Sequence, residues 1–405
     1  MPRRRERWSD FERIADNLRK TSRHRRLVTG SHRGVTFEQN GQTMVNFGSN
    51  DYLGFGQNGA YTNHRTDSGA SDCFRATGSG ATGSGASALV TGWSDAHQRL
   101  ADRIASLKQS ESALIFGTGY AACSGVIATL PGPKDLILSD RLNHASLIDG
   151  CRLSPAKIRI YPHRDVQWIA DALRTDRHRY TRVWIATDAV FSMDGTTAPL
   201  ASLCDVARQY NAELIVDEAH ATGVLAGGAG GLCEATKLTN RVAVRIGTFS
   251  KAIGVQGGFV VADQPVIDHL INHCRSFIYS TAMSPLLVDA IESNLDRMGA
   301  DDGPRTRVRG LARHVRGELG LIDGNHHNDP LQTSMPIIPV VLGDDQTAMD
   351  AAKDLARKGL HVPAIRPPTV PEDTARLRIS LSASHTDSQV ERLCRAVRSC
   401  MLKRE

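Results

Sequence analysis

The sequence predicts an α/β fold: a mostly parallel central sheet flanked by helices, preceded by an N-terminal arm and followed by a smaller C-terminal α+β domain. Three observations carry that expectation. From about residue 90 to residue 290, short apolar runs alternate with amphipathic stretches of helical period, the rhythm of a sheet covered by helices on both faces. After about residue 300 that rhythm breaks, and two helical stretches bracket two strand-like ones. The length of 405 residues exceeds the usual size of one domain. The expected division is residues 1–50 for arm, helix and hairpin, 51–298 for a large domain and 299–405 for a small one.

The elements follow in chain order. Trp8, Phe11, Ile14, Ala15 and Leu18 recur at helical spacing and predict an amphipathic helix over 8–20. Residues 35–47 read as a hairpin turning at Asn40-Gly41. Strands are expected over 113–116, 136–139, 158–161, 183–187, 213–216, 242–246 and 258–261. Helices over 94–107, 166–174 and 200–210 lie between them. Further on, 307–319 reads as a helix, 337–342 and 377–381 as strands, and 387–400 as a closing amphipathic helix. The tandem copies of Thr-Gly-Ser-Gly-Ala at 77–81 and 82–86 are too short to imply a repeat fold. They leave the register of 77–86 open, so no site is assigned there.

Composition narrows the function classes. No apolar run reaches the length of a membrane span, so no membrane association is expected. The eight cysteines are scattered and form no CxxC pair, which argues against a zinc site or a disulfide framework; a reducing cytoplasm is expected. The net charge of +6 owes much to an arginine-rich N-terminus. That arm lacks aromatic interleaving and any nucleic-acid motif, so it reads as a solvated helix with charges of both signs rather than a nucleic-acid arm. No apolar core of a signal peptide follows it. A basic rim would also suit an anionic substrate such as a CoA ester.

The chemistry centres on Gly247-Thr-Phe-Ser-Lys251-Ala-Ile-Gly254. A lone lysine stands in a tight turn between two apolar strands. Desolvation there lowers an amine's pKa and makes it nucleophilic, as a Schiff-base lysine requires. Taken alone, the segment reads equally as a surface lysine in a Gly-rich loop. The other motifs decide between the two. The strand 213–216 runs into Asp217-Glu-Ala-His220, placing an acid where α/β sheets hold ligands. A nucleophilic lysine together with an acid that keeps a pyridine nitrogen protonated is the pairing that pyridoxal 5'-phosphate (PLP) needs. Gly117-Thr-Gly-Tyr-Ala-Ala122 follows an apolar strand and offers backbone N–H groups to a phosphate, with the hydroxyls of Thr248 and Ser250 as added donors. The glycines of 78–85 lack the Gly-Lys-Ser/Thr ending of a P-loop, which argues against a nucleoside triphosphate. His144, after the strand 136–139, can lie over a flat ring, and reads equally as a structural histidine at a strand end. Ser192 follows another strand in Val190-Phe-Ser-Met-Asp-Gly195. Arg366 sits on the proline-stiffened Ala364-Ile-Arg-Pro-Pro-Thr-Val-Pro371, where a guanidinium fork suits a carboxylate.

With these residues placed, the chain resembles the α-oxoamine synthases, fold-type I PLP enzymes that condense an amino acid with an acyl thioester. The likeness runs from about Phe11 to Val397. It rests on Ser49-Asn-Asp-Tyr-Leu-Gly54, Gly83-Ser-Gly-Ala-Ser-Ala-Leu-Val-Thr-Gly92, Arg141-Leu-Asn-His-Ala-Ser-Leu147, Phe191-Ser-Met-Asp-Gly195, Val216-Asp-Glu-Ala-His-Ala-Thr-Gly223, Thr248-Phe-Ser-Lys251 and Ile278-Tyr-Ser-Thr281. The arginine loop and the following Thr374-Ala-Arg-Leu-Arg378 resemble the branch that joins L-alanine to a pimeloyl thioester carried by CoA or an acyl carrier protein. Other branches use glycine or another amino acid with acetyl-CoA or a longer acyl-CoA.

The resemblance implies roles. Lys251 would carry the cofactor and move the Cα proton, Asp217 would pair with the ring nitrogen, His220 would bond the ring hydroxyl and His144 would stack on the ring. Gly119, Tyr120 and Thr248 would hold the phosphate, and Ser192 would line the site. Ser280 and Thr281 would reach the phosphate of a neighbouring subunit, implying a homodimer with shared sites. Asn50 and Arg366 would hold the amino-acid carboxylate, with Thr369 beside the product. Arg25 would help bind the acyl substrate, with Arg23 and Arg26 close enough to compete for that role.

Overall fold

The structure is a computed structural model describing residues 8–56, 81–225, 229–322 and 329–402. The first Thr-Gly-Ser-Gly-Ala copy, up to Gly80, and the arginines before Trp8 lie outside the described residues.

The helix α1 (Ser9–Lys20) forms with Asp10 and Glu12 in its first turn and Arg19 and Lys20 in its last, a charge order that suits the helix dipole. None of its residues is buried, and Trp8, Phe11 and Ile14 stay exposed. Strands β1 (Ser31–Arg33), β2 (Thr36–Gln39) and β3 (Gln42–Asn46) then make an antiparallel meander. Asn40 and Gly41 both have positive φ, the backbone that a two-residue hairpin turn demands.

The central sheet has seven strands: β4 (Ser112–Phe116), β5 (Leu136–Asp140), β6 (Lys157–Tyr161), β7 (Val183–Asp188), β8 (Glu213–Asp217), β9 (Val244–Thr248) and β10 (Gly258–Ala262). Their spatial order is β4-β10-β9-β8-β7-β5-β6. Five neighbouring strands run parallel, and β10 is antiparallel to both β9 and β4. All residues of β5, β7, β9 and β10 are buried, as a sheet with both faces covered requires. The strand expected from Val242 begins at Val244, because a 3-10 turn over Thr239–Arg241 delivers the chain to the sheet edge.

Helices α2 (Asp95–Leu107), α3 (Gly119–Thr129), α4 (Ala145–Leu153), α5 (Val166–Asp176) and α6 (Leu200–Tyr210) connect the strands. Two apolar clusters lie against the sheet. One includes Leu100, Ile185, Val216 and Phe259, and the other Ile127, Ile137, Ile215 and Val260. Residues adjacent along β8 and β10 thus go to opposite clusters, as the period-2 geometry of strands dictates.

Beyond long helices over Pro285–Ala300 and Gly303–Glu318, a smaller sheet is built from β11 (Ile337–Gly343), β13 (Ala364–Ile365) and β14 (Ala375–Ser380). Strand β12 (Leu360–His361) pairs parallel with β3, tying the N-terminal meander to this region. The closing helix, Asp387–Leu402, buries Val390, Leu393, Cys394 and Val397, the spacing of one helical face.

Candidate active site

Four adjacent parallel strands end in polar residues on one edge of the sheet: Asp140 on β5, Asp188 on β7, Asp217 on β8 and Thr248 on β9. This is the carboxyl edge, where α/β sheets open a crevice for ligands. A cavity of about 250 Å³ lies there, lined by Gly119, Tyr120, His144, Asp188, Asp217, His220, Thr248 and Lys251 among others. Eight residues singled out from the sequence, these without Asp188 but with Ser250, thus share one chamber.

Each wall has a local cause. Thr118 caps α3, its side chain accepting the Ala121 N–H at 3.1 Å, and leaves the first N–H groups of the helix facing the cavity. This turn fits closely against β10. A Cβ on Gly258 would lie 2.6 Å from the Gly119 Cα, and one on Gly119 would lie 3.0 Å from the Thr248 hydroxyl. Thr248 Oγ1 donates to the Gly257 carbonyl at 2.7 Å and stands 2.6 Å from Ser250 Oγ. Tyr120 bonds Asp149 and presents its edge to the His144 ring.

His144 caps α4. Its N–H donates to Asp188 Oδ2 at 2.8 Å, and Nδ1 lies 2.7 Å from Ser146 Oγ. The ring stays open to the cavity, yet its neighbours desolvate it enough to lower its pKa. Asp217 accepts the Ala219 N–H on Oδ1 at 2.8 Å and the Cys123 thiol on Oδ2 at 3.0 Å. His220 is buried against Tyr52, with Nδ1 2.7 Å from the phenol oxygen. Burial holds His220 well below the ordinary histidine range, with the Lys251 charge adding to the effect. Burial also lowers the Lys251 amine, against the opposing pull of Asp217 and Asp188. Among the described residues, Lys251 makes no side-chain hydrogen bond or ion pair. It is a partly desolvated amine directed at two carboxylates without being neutralised by either.

The remaining residues occupy other places. Ser280 and Thr281 are exposed and line a separate crevice with Phe116 and Gly117. Arg25, Arg366 and Thr369 form an outer rim, where Arg25 donates to Thr369 Oγ1 at 3.1 Å. Partial burial lowers the Arg366 pKa, and the nearby Arg25 charge adds to this. Arg23 is instead held by Asp345 at 2.6 Å and Glu372 at 2.5 Å. Asn50 and Ser192 meet at a residue the sequence reading passed over as a ligand. Arg378 donates from both terminal nitrogens to Asn50 Oδ1 at 3.1 Å and from Nε to the Ser192 carbonyl at 2.6 Å. It is 4% exposed and, among the described residues, has no carboxylate partner. Its positive charge is felt at Lys251, His220 and Tyr52.

Asp188 was also missed. It pairs in register with Asp217. Burial, followed by repulsion from Asp217, pushes its carboxyl well above the usual range. Both omissions had a signal. Asp188 ends an apolar strand just as Asp217 does. Arg376 and Arg378 alternate with Leu377 and Ile379, which marks a strand with one charged face. A further pin was not legible: buried Lys108 reaches Glu218 at 2.8 Å and Thr222 at 2.8 Å, clamping the turn that carries Asp217 and His220.

The residues present fit PLP. Backbone donors at a helix start and three hydroxyl-bearing residues suit its phosphate, a buried acid suits its ring nitrogen and a lysine stands between them. The tight Gly119–Gly258 approach keeps the phosphate cradle free of side chains. Fold and site together define a PLP-dependent transferase of fold type I.

The chain belongs to the aminotransferase class I and II family, whose sequence pattern matches residues 42–397, and within it to the α-oxoamine synthases. It is 42% identical to an 8-amino-7-oxononanoate synthase of Marinobacter nauticus over 93% of this chain and 91% of that one. It is 27% identical to a serine palmitoyltransferase structure from Sphingomonas wittichii, with a TM-score of 0.84 and 98% of each chain covered. A high-resolution SPT structure with PLP gives the same TM-score and coverage at 25% identity.

Proposed function

We propose that this protein condenses L-alanine with a pimeloyl thioester, releasing CO2 and the free thiol carrier and forming 8-amino-7-oxononanoate, the reaction that serves biotin biosynthesis. The observation that carries this reading is the single cavity in which a desolvated Lys251 faces Asp217, His144 and His220. The 42% identity to an 8-amino-7-oxononanoate synthase supports the choice of substrates.

PLP, when bound, supplies an electron sink for the carbanion at the amino acid's Cα. Gly119, Tyr120 and Thr248 would hold its phosphate, Ser192 would border it, and His144 would cover its ring. Asp217 would hold the proton on the ring nitrogen, and His220, positioned by Tyr52, would bond the ring hydroxyl. Lys251 would anchor the cofactor and move the Cα proton, a task suited to an amine whose pKa is lowered by burial. We assign the alanine carboxylate to Arg378 together with Asn50, because Arg378 is the buried guanidinium whose charge reaches Lys251. Arg366, on the rim with Arg25 and Thr369, then takes the acyl side, where two cations suit an anionic chain or carrier. The two carboxylate partners of Arg23 favour Arg25 over it for that role.

We further propose a cytoplasmic homodimer with shared sites and the three-part division at residues 50 and 298. Exposed Tyr279, Leu89 and Val90 beside Ser280 and Thr281 support the dimer, since large apolar side chains grouped on a surface suit a protein partner.

A second reading is an α-oxoamine synthase acting on glycine, serine or another amino acid with a different acyl-CoA. It draws on the likeness to serine palmitoyltransferases. A panel of L-alanine, glycine and L-serine against acetyl, pimeloyl and palmitoyl thioesters, followed by thiol release, decides between them. Alanine with pimeloyl thioester is expected to give the highest kcat/KM; a clear preference for serine or glycine overturns the first reading.

A further inference from the structure

Cys123 lies one turn into α3, behind the phosphate cradle, and is 1% exposed. Its Sγ is 3.0 Å from Asp217 Oδ2. An ionised carboxylate only accepts hydrogen bonds, so the thiol is the donor. Burial and the Asp217 charge push the thiol far up, so it retains its hydrogen. The second carboxylate oxygen accepts the Ala219 N–H at 2.8 Å. Among the described residues, Asp217 therefore rests on one backbone donor and one thiol.

The surroundings make that second donor matter. Asp188 on β7 stands beside Asp217 in register. Burial and a neighbouring acid both favour a neutral carboxyl over an ionised one. The other groups facing this pair among the described residues are Lys251 after β9, His144 with Ser146 at the start of α4, and, on the Asp188 side, Asp140 on β5 and Tyr161 on β6. A proton shared between a ring nitrogen and a carboxyl moves toward the oxygen when the carboxylate is poorly stabilised. It stays on nitrogen when donors spread the carboxylate's charge.

We propose that Cys123 is a positioning residue whose thiol, by donating to Asp217 Oδ2, helps keep the proton that Asp217 would share with the cofactor's ring nitrogen on the nitrogen. This rests on the reading above that Asp217 pairs with that nitrogen. A thiol has a place here because it donates one bond while its bulk fills the apolar space around Ala122 and Val126 on α3.

The test uses holoenzyme loaded with PLP labelled with 15N in the ring. In Cys123→Ala the donor is lost, and the ring 15N signal is expected to move toward the unprotonated limit. In Cys123→Ser a stronger donor is restored, and the signal is expected at the wild-type position or further toward the protonated limit. A merely structural role would move both variants the same way. That result, or an alanine variant with the wild-type shift, overturns the proposal. Asp217→Asn separates the two readings. If it leaves the 15N signal at the wild-type value, the pairing of Asp217 with the ring fails. If it moves the signal while Cys123→Ala does not, only the role of Cys123 fails. An infrared difference between wild type and Cys123→Ala adds an independent readout: an S–H stretch lowered by hydrogen bonding is expected, and a band at the free-thiol position overturns the donor assignment.

Discussion

The inner cavity and the outer rim hold cations in opposite ways. Inside, Lys251 and Arg378 are desolvated and make no ion pair among the described residues, and carboxylates stand near the lysine without neutralising it. At the rim, Arg23 is tied to Asp345 and Glu372, while among the described residues Arg25 donates only to a threonine hydroxyl. Buried charges act strongly because little solvent screens them, whereas exposed ones act weakly and fade with salt. The inner region is therefore suited to chemistry and the rim to steering and selecting an anionic chain. Substitutions in the two regions should differ accordingly, both in size and in which kinetic constant moves.

The largest effect is expected at Lys251. Lys251→Ala should remove the visible absorbance of bound PLP and lower kcat by roughly four orders of magnitude, since it deletes both the covalent anchor and the base. Retained activity would overturn the division into chemical core and steering rim. Next comes Arg378→Met, which should raise KM for L-alanine by about 10²-fold, the scale for losing a buried charged hydrogen-bond partner. PLP affinity should change little. If Arg366→Met raises the KM for alanine instead and Arg378→Met does not, the carboxylate assignment moves to the rim.

A buried histidine outside that cavity ties the protein's stability to pH. His385 is stacked on Phe47, accepts the Ser382 N–H on Nδ1 at 2.9 Å and approaches the Asn46 carbonyl through Nε2 at 3.2 Å. It is thus satisfied as a neutral ring, and burial pushes its pKa down to about 4. A histidine held neutral in the native state and free to charge when unfolded favours unfolding as pH falls. Its contribution is complete above about pH 6.5 and is lost between 6.5 and about 4, by about 3 kcal/mol in all. Urea unfolding from pH 7 to pH 4.5 should show that slope, and His385→Gln should flatten it. An unchanged slope in the variant would assign the acid sensitivity elsewhere, with His220 the next candidate.

What the sequence made legible follows the same divide. The strands of the central sheet were readable because both of their faces are buried, which leaves uninterrupted apolar runs such as Leu214-Ile215-Val216. Lys251, Asp217 and His220 were readable because each follows such a run at the sheet's carboxyl edge. Arg378 was harder to see, since its role depends on a strand from the small sheet crossing to Asn50 and Ser192, residues far away in the chain. The partnership of Lys108 with Glu218 and that of Cys123 with Asp217 left no local mark, because each joins positions roughly a hundred residues apart through tertiary packing. The exposed apolar face of α1 shows the converse: helical spacing predicted the helix, but spacing alone does not say what covers it.

The smallest expected effects separate the rim arginines from each other. Arg25→Ala removes a guanidinium that has no carboxylate partner among the described residues and sits beside Arg366 and Thr369, and should raise KM for the acyl thioester by roughly tenfold, the value of about 1.4 kcal/mol. That loss should shrink as salt rises, because the interaction is exposed. Arg23→Ala removes a charge already held by Asp345 and Glu372, so KM should move by less than about twofold, and any cost should fall on stability and be small, as for other solvent-exposed ion pairs. Measuring both variants at two salt concentrations gives four KM values. A salt-dependent rise for Arg25 with a flat response for Arg23 is the expected pattern. The reverse pattern would mean that the carboxylates release Arg23 when substrate arrives, and that the rim is arranged around that exchange rather than around a free Arg25.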